Sequence, residues 1–356
     1  MPATETFTGW MGLDAKSVEG NLVKQEYHPK VFTDNDIDIK ISHCGICASD
    51  LHTLRSGWGA TPYPVVVGHE IVGTVVKKGK NVTEFEIGDR VGVGAQCDSC
   101  LEADCYECNH GLEPSCAKHV FTYASKFFDN GDYSYGGYSE MGRYPASFAF
   151  KIPESIPSDI AAPMMCGGIT VFSPLKRNGC GPGKTVGIVG LGGLGHFGLL
   201  FAKALGADHV WAISRTDSKG EDAKAMGADG IIATAEPNWA KKNARKFDLI
   251  VSTANSPDMP LGDYLTMLKP DGTFVQVGLP EAPIPQFYFG PIVSNNLSLR
   301  GSVLGSREEI KEMLDLAATQ GIKSWITTYP MDEVNKVLPL MEANKARYRF
   351  VLCNDV

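Results

Sequence analysis

Thr185-Val-Gly-Ile-Val-Gly-Leu-Gly-Gly-Leu-Gly-His196 is the stretch that decides the fold. A β-branched, apolar run enters Gly190, Gly192 and Gly195, and a second apolar run with helical spacing leaves them. Strand, glycine turn and helix in that order form a dinucleotide-binding corner. The first glycine permits the tight turn, the second lets the backbone approach a pyrophosphate, and the third lets helix and strand pack closely. The N–H groups at the helix start, on Gly193, Leu194 and Gly195, then face the anion. An ordinary strand-turn-helix corner is the alternative, and the strand before and helix after favour the dinucleotide site.

Downstream the same alternation continues. The runs HVWAIS, GIIAT, FDLIVSTA, TFVQVGL and LSLRGSVLG read as strands, and Leu194 to Leu205, Lys219 to Met226 and Leu261 to Leu268 as the helices between them. Such a βαβ series predicts an α/β domain with a doubly wound parallel (Rossmann) sheet. Upstream, Ile37-Asp-Ile-Lys-Ile41, Ile71-Val-Gly-Thr-Val-Val76 and Arg90-Val-Gly-Val93 alternate with glycine- and proline-rich stretches, the pattern of antiparallel strands. Ser158 and Asp159 can cap a helix carrying Ala161 to Thr170 out of that part. After Gly305 the rhythm breaks: a helix from Glu308 to Gln320, a strand-like Ile322 to Thr328, a further helix and Tyr348 to Leu352 are expected to return to the first domain. The expected division is 1–163 with 301–356 as a mainly antiparallel β domain and 164–300 as the nucleotide-binding domain, with the active site in a cleft between them.

Composition narrows the function. At 356 residues the chain exceeds one typical core of about 150 residues. No apolar run approaches the ~18 residues of a membrane span, and Met-Pro-Ala-Thr-Glu-Thr-Phe-Thr lacks the basic start and apolar core of a secretory signal. The expectation is a cytoplasmic protein without a membrane partner. Net charge of −8 gives no basic surface for phosphate backbones, which counts against nucleic acid. Ten cysteines in a reducing compartment point to metal or reactivity before disulfides.

Their spacing is informative. Cys100, Cys105, Cys108 and Cys116 follow C-x4-C-x2-C-x7-C in a polar loop. Four thiolates on one short loop suit a closed, tetrahedral structural zinc site, which has no open position for chemistry. Cys97 makes a second CxxC with Cys100, so a shifted ligand set stays open. A second group lies in Cys47-Ala-Ser-Asp-Leu-His52, Gly68-His-Glu70 and Pro163-Met-Met-Cys166. If Cys47, His69 and Cys166 converge, they leave a fourth zinc position for water or a substrate oxygen. Spacing alone leaves His69 open to being a core histidine and Cys166 a buried thiol. Cys44, Cys180 and Cys353 read as packed thiols.

With these motifs, Cys166-Gly-Gly-Ile-Thr170, the glycine turn and Ser214-Arg215, nearly the whole chain resembles a zinc-containing medium-chain dehydrogenase/reductase of the NADP-dependent cinnamyl alcohol dehydrogenase type. The resemblance implies a GroES-like catalytic domain beside the Rossmann domain and two zinc ions per chain. The catalytic ion would sit on Cys47, His69 and Cys166, with Glu70 as an alternative or outer ligand. Asp50 would accept a hydrogen bond from the far nitrogen of His69. A proton path would run from the Ser49 hydroxyl through the cofactor ribose to His52 and solvent. Thr170 would face the nicotinamide, and Trp58, Phe121 and Val303 would line an apolar pocket; each is also compatible with plain core. The cysteine loop departs from the commoner family spacing, C-x2-C-x2-C-x7-C, by two residues between Cys100 and Cys105. A homodimer joined by edge strands of the nucleotide domains is likewise implied.

The cofactor follows from the second strand. An NAD-type fold carries an acid at its end. Here His209-Val-Trp-Ala-Ile213 is followed by Ser214-Arg-Thr-Asp-Ser-Lys219, so Ser214, Arg215 and Lys219 would hold a 2′-phosphate and NADP is favoured. Asp217 keeps NAD open. The expected activity is reversible hydride transfer between NADP(H) and primary alcohols or aldehydes of aliphatic, benzylic or cinnamyl type. Two alternatives stand beside it: an NAD-dependent polyol dehydrogenase of the same superfamily and a non-catalytic zinc protein that binds partners.

Overall fold

The computed structural model describes residues 5–284 and 286–354. The chain divides into two compact units, Met1–Cys166 with Ser306–Val356, and Gly167–Gly305.

The second unit is the doubly wound sheet. Its strands lie in the order Gly230–Ala233, His209–Ser214, Thr185–Val189, Phe247–Ser252, Leu268–Gln276, Ser298–Gly301, every neighbouring pair parallel. The chain moves outward from Thr185–Val189 in one direction and then in the other. The order therefore reverses beside that strand, and the end carrying Gly190 is the switch point where ligands bind in such sheets. Burial on both faces explains the near-continuous apolar runs: Val186, Ile188, Ile213, Ile250 and Phe274 are all fully or almost fully buried. Helix Gly193–Ala204 presents Phe197, Leu199 and Phe201 to this core. Phe201 meets Phe172 of helix Gly167–Arg177 edge to face, with ring centroids 5.5 Å apart.

The first unit is built on a seven-stranded sheet: Ile326–Pro330, Arg349–Cys353, Asp36–Gly45, Glu70–Lys78, Arg90–Val93 and Ala149–Lys151 in order, with Met141–Pro145 also paired to Asp36–Gly45. All pairs are antiparallel except Ile326–Pro330 with Arg349–Cys353. Ile37, Ile39 and Ile41 fill the core as their alternation predicts. The intervening Asp36 and Asp38 are buried as well, because Lys30 pairs with Asp36 at 2.5 Å and Arg143 with Asp38 at 2.7 Å. A buried carboxylate without such a partner would cost several kcal/mol, about 3–5 when a pair is broken.

Two segments differ in detail from expectation. Ser158 does not cap a helix reaching Thr170: the chain runs as a short helix Ser158–Ala161, a 3₁₀ turn Ala162–Met165, a break at Cys166 (φ −128°, ψ −64°) and a new helix Gly167–Arg177. Pro163 supplies no N–H, so a regular helix cannot continue. Ser158 Oγ accepts instead from Arg90, at 3.2 Å. The tail does join the first unit. Its helix Arg307–Gln320 starts one residue earlier than the periodicity indicates, because Ser306 and Glu309 form a reciprocal capping box and Gly321 closes the other end at φ +66°. Among the described residues no helix is long and apolar enough to cross a membrane.

Candidate active site

The cysteine loop comes first because it is local. Cys100, Cys105, Cys108 and Cys116 bring their sulfurs within 4.8 Å of one another. Three of the separations are 3.8, 3.9 and 3.6 Å. Four sulfurs about 2.3 Å from a tetrahedral centre stand ~3.8 Å apart, so the set fits a zinc ion. The longer spacing after Cys100 is taken up in a turn with Leu101 in the left-handed region, φ +48°. Cys97 lies outside the cluster: its thiol is buried 3.5 Å from the Phe121 carbonyl. Cys105→Ser is expected to leave the fold but open this loop. Cleavage by trypsin at Lys118 should rise at least about tenfold, equivalent to ~1.4 kcal/mol of local stability, with one zinc lost per chain; unchanged cleavage and metal content would contradict a metal-clipped loop.

The second cluster is assembled over long range within the first unit. Cys47 precedes helix Ala48–Leu54, His69 and Glu70 stand at the head of strand Glu70–Lys78, and Cys166 sits at the break described above. One ligand atom from each of the four lies within 4.8 Å of the others, and all four residues are buried. His69 Nε2 is buried without a hydrogen-bond partner among the described residues. An unmet ring nitrogen costs about 1–3 kcal/mol, and here it stands among two thiols and a carboxylate, a donor set that suits zinc. The electrostatics agree. Contact with Cys166 and then His69 pushes the Cys47 thiol well below its ordinary value, while Cys47 pushes Cys166 up. Burial alone would lower His69, but Cys47, Asp50 and Glu70 outweigh it and carry the imidazole to about 9. The cluster thus gathers negative charge that a divalent cation would neutralise.

The surrounding residues hold this geometry. Asp50 does not bond to His69. Its carboxylate accepts from the Cys47 N–H at 2.9 Å, the Gly68 N–H at 3.1 Å and the Tyr138 hydroxyl at 2.9 Å. It therefore ties together the two ligand-bearing segments, and the His69 ring lies flat against Tyr123, centroids 5.2 Å apart and 9° from parallel. Glu70 is ion-paired to Arg349, which also donates to the Ile46 carbonyl at 2.9 Å, and all of this is buried. Burial pushes the Glu70 carboxyl up to about 7 against the opposing pull of Arg349. Ser49 Oγ lies 3.5 Å from the Cys47 sulfur. His52 is buried and stacks on Trp58, centroids 4.4 Å apart. Phe121 packs edge-on to His119, and both Trp58 and Phe121 keep about two-fifths of their surface exposed (43% and 38%).

In the second unit the glycine turn has the geometry that phosphate binding needs. Gly190 is at φ +88°, and a Cβ on Gly195 would stand 1.8 Å from the Gly190 carbonyl oxygen, so only glycine fits there. A Cβ on Gly192 would meet nothing within 4 Å, leaving open space beside the backbone. Helix Gly193–Ala204 begins at Gly192 with no side-chain cap and no acid in its first turn, so a dinucleotide phosphate fits its start. Lys219 donates to the Leu191 carbonyl at 2.7 Å, which brings its charge to the turn. Ser214 ends its strand and Arg215 is exposed just beyond it. Thr170 is buried in helix Gly167–Arg177, and Val303 is exposed near the end of this unit.

Sequence reasoning missed Arg349, Tyr138 and Tyr123. Arg349 lies 279 residues from Glu70 and Tyr138 lies 88 from Asp50, so no spacing rule connects them.

Two family descriptions match the chain: alcohol dehydrogenase GroES-like domain over residues 33–154, and zinc-binding dehydrogenase over residues 193–319. The chain is 47% identical over 337 residues, 93% of its own length and 92% of the relative's, to NADP-dependent alcohol dehydrogenase 6 of Saccharomyces cerevisiae. Among solved structures it is similar to a cinnamyl alcohol dehydrogenase of Sorghum bicolor, with TM-score 0.91, 37% identity and 98% of each chain covered. It is also similar to CAD from Helicobacter pylori complexed with NADP(H), with TM-score 0.89, 30% identity and 98% of each chain covered.

Proposed function

Because the chain belongs to the zinc-binding alcohol dehydrogenases, we propose that it interconverts primary alcohols and aldehydes by hydride exchange with NADP(H), with aliphatic, benzylic and cinnamyl aldehydes as the substrate class. Aldehyde reduction is the direction favoured where the cell keeps NADP reduced. The observation that carries this reading is the asymmetric cluster of two thiols, one imidazole and a carboxylate beside a separate closed set of four thiols. When bound, zinc polarises a carbonyl oxygen as a Lewis acid and the dihydronicotinamide supplies hydride.

Cys47, His69 and Cys166 hold the catalytic ion, with Glu70 as the alternative ligand that Arg349 otherwise keeps paired. Asp50 holds the Cys47 and Gly68 segments at the spacing the ligands need. The Ser49 hydroxyl, beside the Cys47 sulfur, handles the proton of the alcohol, and His52 exchanges it with solvent. Gly193, Leu194 and Gly195 offer their N–H groups to the pyrophosphate, Ser214, Arg215 and Lys219 hold the 2′-phosphate, and Thr170 faces the nicotinamide. Trp58, Phe121 and Val303 supply apolar contact to the substrate. The four-cysteine loop holds the structural zinc. Cytoplasmic location follows as part of the same reading.

A panel of aliphatic and aromatic aldehydes with NADPH and NADH tests the reading. NADPH-linked reduction abolished by chelation, with two zinc ions per chain, is the expected result. A clear NADH preference with polyols would favour the polyol dehydrogenase, and one zinc with no turnover a binding protein. Arg215→Ala is expected to raise KM for NADPH about tenfold or more, the worth of one charge-assisted phosphate contact, with NADH kinetics almost unchanged; equal effects on both would contradict the 2′-phosphate assignment. We also propose a homodimer. Strand Ser298–Gly301 is a sheet edge with Leu299 exposed, and neighbouring helix Gly290–Asn295 exposes Val293. Sedimentation at micromolar concentration should give twice the chain mass.

A further inference from the structure

His52 is more constrained than a proton carrier open to solvent would be. One ring face stacks on Trp58, with 20° between the planes. Its Nδ1 stands 3.0 Å from a terminal nitrogen of Arg55, the residue that caps the C-terminus of helix Ala48–Leu54. The other terminal nitrogen of Arg55 donates to Glu342 at 2.7 Å, and Glu342 ends helix Val334–Glu342, 287 residues away in sequence. A guanidinium has five donors, no acceptor, and keeps its charge in proteins. The imidazole nitrogen facing it must therefore be the acceptor, and the neutral ring must carry its proton on Nε2.

We infer that Arg55, braced by Glu342, is a positioning residue of the proton path that fixes His52 as the neutral Nε2–H tautomer flat against Trp58. The inference rests on the reading of His52 as the proton carrier. Its consequence is specific. For His52 to pass on the Nε2 proton it must take one up from solvent at Nδ1 in the same exchange, so Arg55 must first leave Nδ1 and the guanidinium governs the solvent side. Permanent charge and donor-only chemistry are what this job requires. A lysine at the position would keep both properties, and a methionine of similar length neither.

The test uses the full-length zinc-loaded protein labelled with ¹⁵N-histidine, the His52 signals being identified by their loss in His52→Gln. In the unsubstituted protein Nδ1 is expected at the shift of a lone-pair nitrogen and Nε2 at that of a protonated one. Arg55→Met should collapse this pattern towards exchange-averaged shifts, and Arg55→Lys should restore it. A protonated Nδ1 in the unsubstituted protein, or an unchanged pattern in Arg55→Met, would overturn the assignment. Kinetics supply the second arm: Arg55→Met should lower kcat for aldehyde reduction about three- to tenfold with KM for NADPH unchanged, and add nothing in a His52→Gln background. If His52→Gln itself leaves turnover intact, the proton-carrier reading fails on its own account, while the nitrogen shifts still decide whether Arg55 sets the tautomer.

Discussion

Replacing Cys47 by serine is expected to lower NADPH-linked aldehyde reduction by at least about a thousandfold, the scale on which losing a main electrostatic stabiliser of a developing oxyanion acts. The substitution is nearly isosteric, so its effect isolates the metal. Cys47 keeps its place at the head of helix Ala48–Leu54 through its backbone N–H, which donates to Asp50 at 2.9 Å, and serine retains that bond. What it loses is the sulfur. The thiol is held well below its ordinary value by contact with Cys166 and His69, so a thiolate is available for a cation, whereas a serine hydroxyl does not ionise near neutral pH and binds zinc weakly. Zinc should fall from two to one per chain, with the remaining ion on Cys100, Cys105, Cys108 and Cys116. The thermal midpoint should move little. Near-normal turnover in this variant would show that the Cys47 cluster is not the catalytic centre.

The second large effect is on stability. Arg349→Met is expected to cost about 3–5 kcal/mol, because it removes the opposite charge from a buried carboxylate with no solvent access. Both side chains of the Arg349 and Glu70 pair are within 1% of full burial. The substitution also removes the donor to the Ile46 carbonyl. Methionine fills much of the volume, so lost packing contributes little and the penalty reports mainly the loss of the ion pair to Glu70. The carboxyl is already pushed up to about 7 by burial even with the cation beside it, so without Arg349 it will take up a proton in preference to staying charged. Adding Glu70→Gln should then recover a good part of the loss, a coupling of the size seen for contacting residues. Urea melts of the two single variants and the double variant measure this; additive losses would mean that the two side chains are independent.

The contrast between these two sites marks what could be read from the chain. Cys47, the four loop cysteines and the glycine turn announce themselves because their partners are nearby or their residue types are rare. Spacing leaves the convergence of Cys166 with Cys47 and His69 open, since it depends on the break at Cys166, where Pro163 interrupts the helix. Asp50 was legible as a supporting residue, but its partners were not. The expected bond to His69 gives way to three donors from Cys47, Gly68 and Tyr138, because those donors are buried with it and would otherwise go unmet. The buried Asp36 and Asp38 were hidden for a similar reason: alternation in Asp36–Gly45 places them opposite the isoleucines, and only Lys30 and Arg143 make that second face an interior one.

By itself the sequence determined the parallel sheet, its glycine-led first crossover, the metal-binding loop and the likeness to zinc dehydrogenases. These rest on periodicity and on residues within a few positions of each other, where backbone geometry fixes who can meet whom. Tertiary structure alone decided that the last strand, Arg349–Cys353, would lie beside Asp36–Gly45 and bring Arg349 to Glu70, and that Glu342 would reach Arg55. Charges that far apart along the chain carry no local signature. Their pairing is set by which segments return to one core, and by the cost of leaving a buried charge without its opposite.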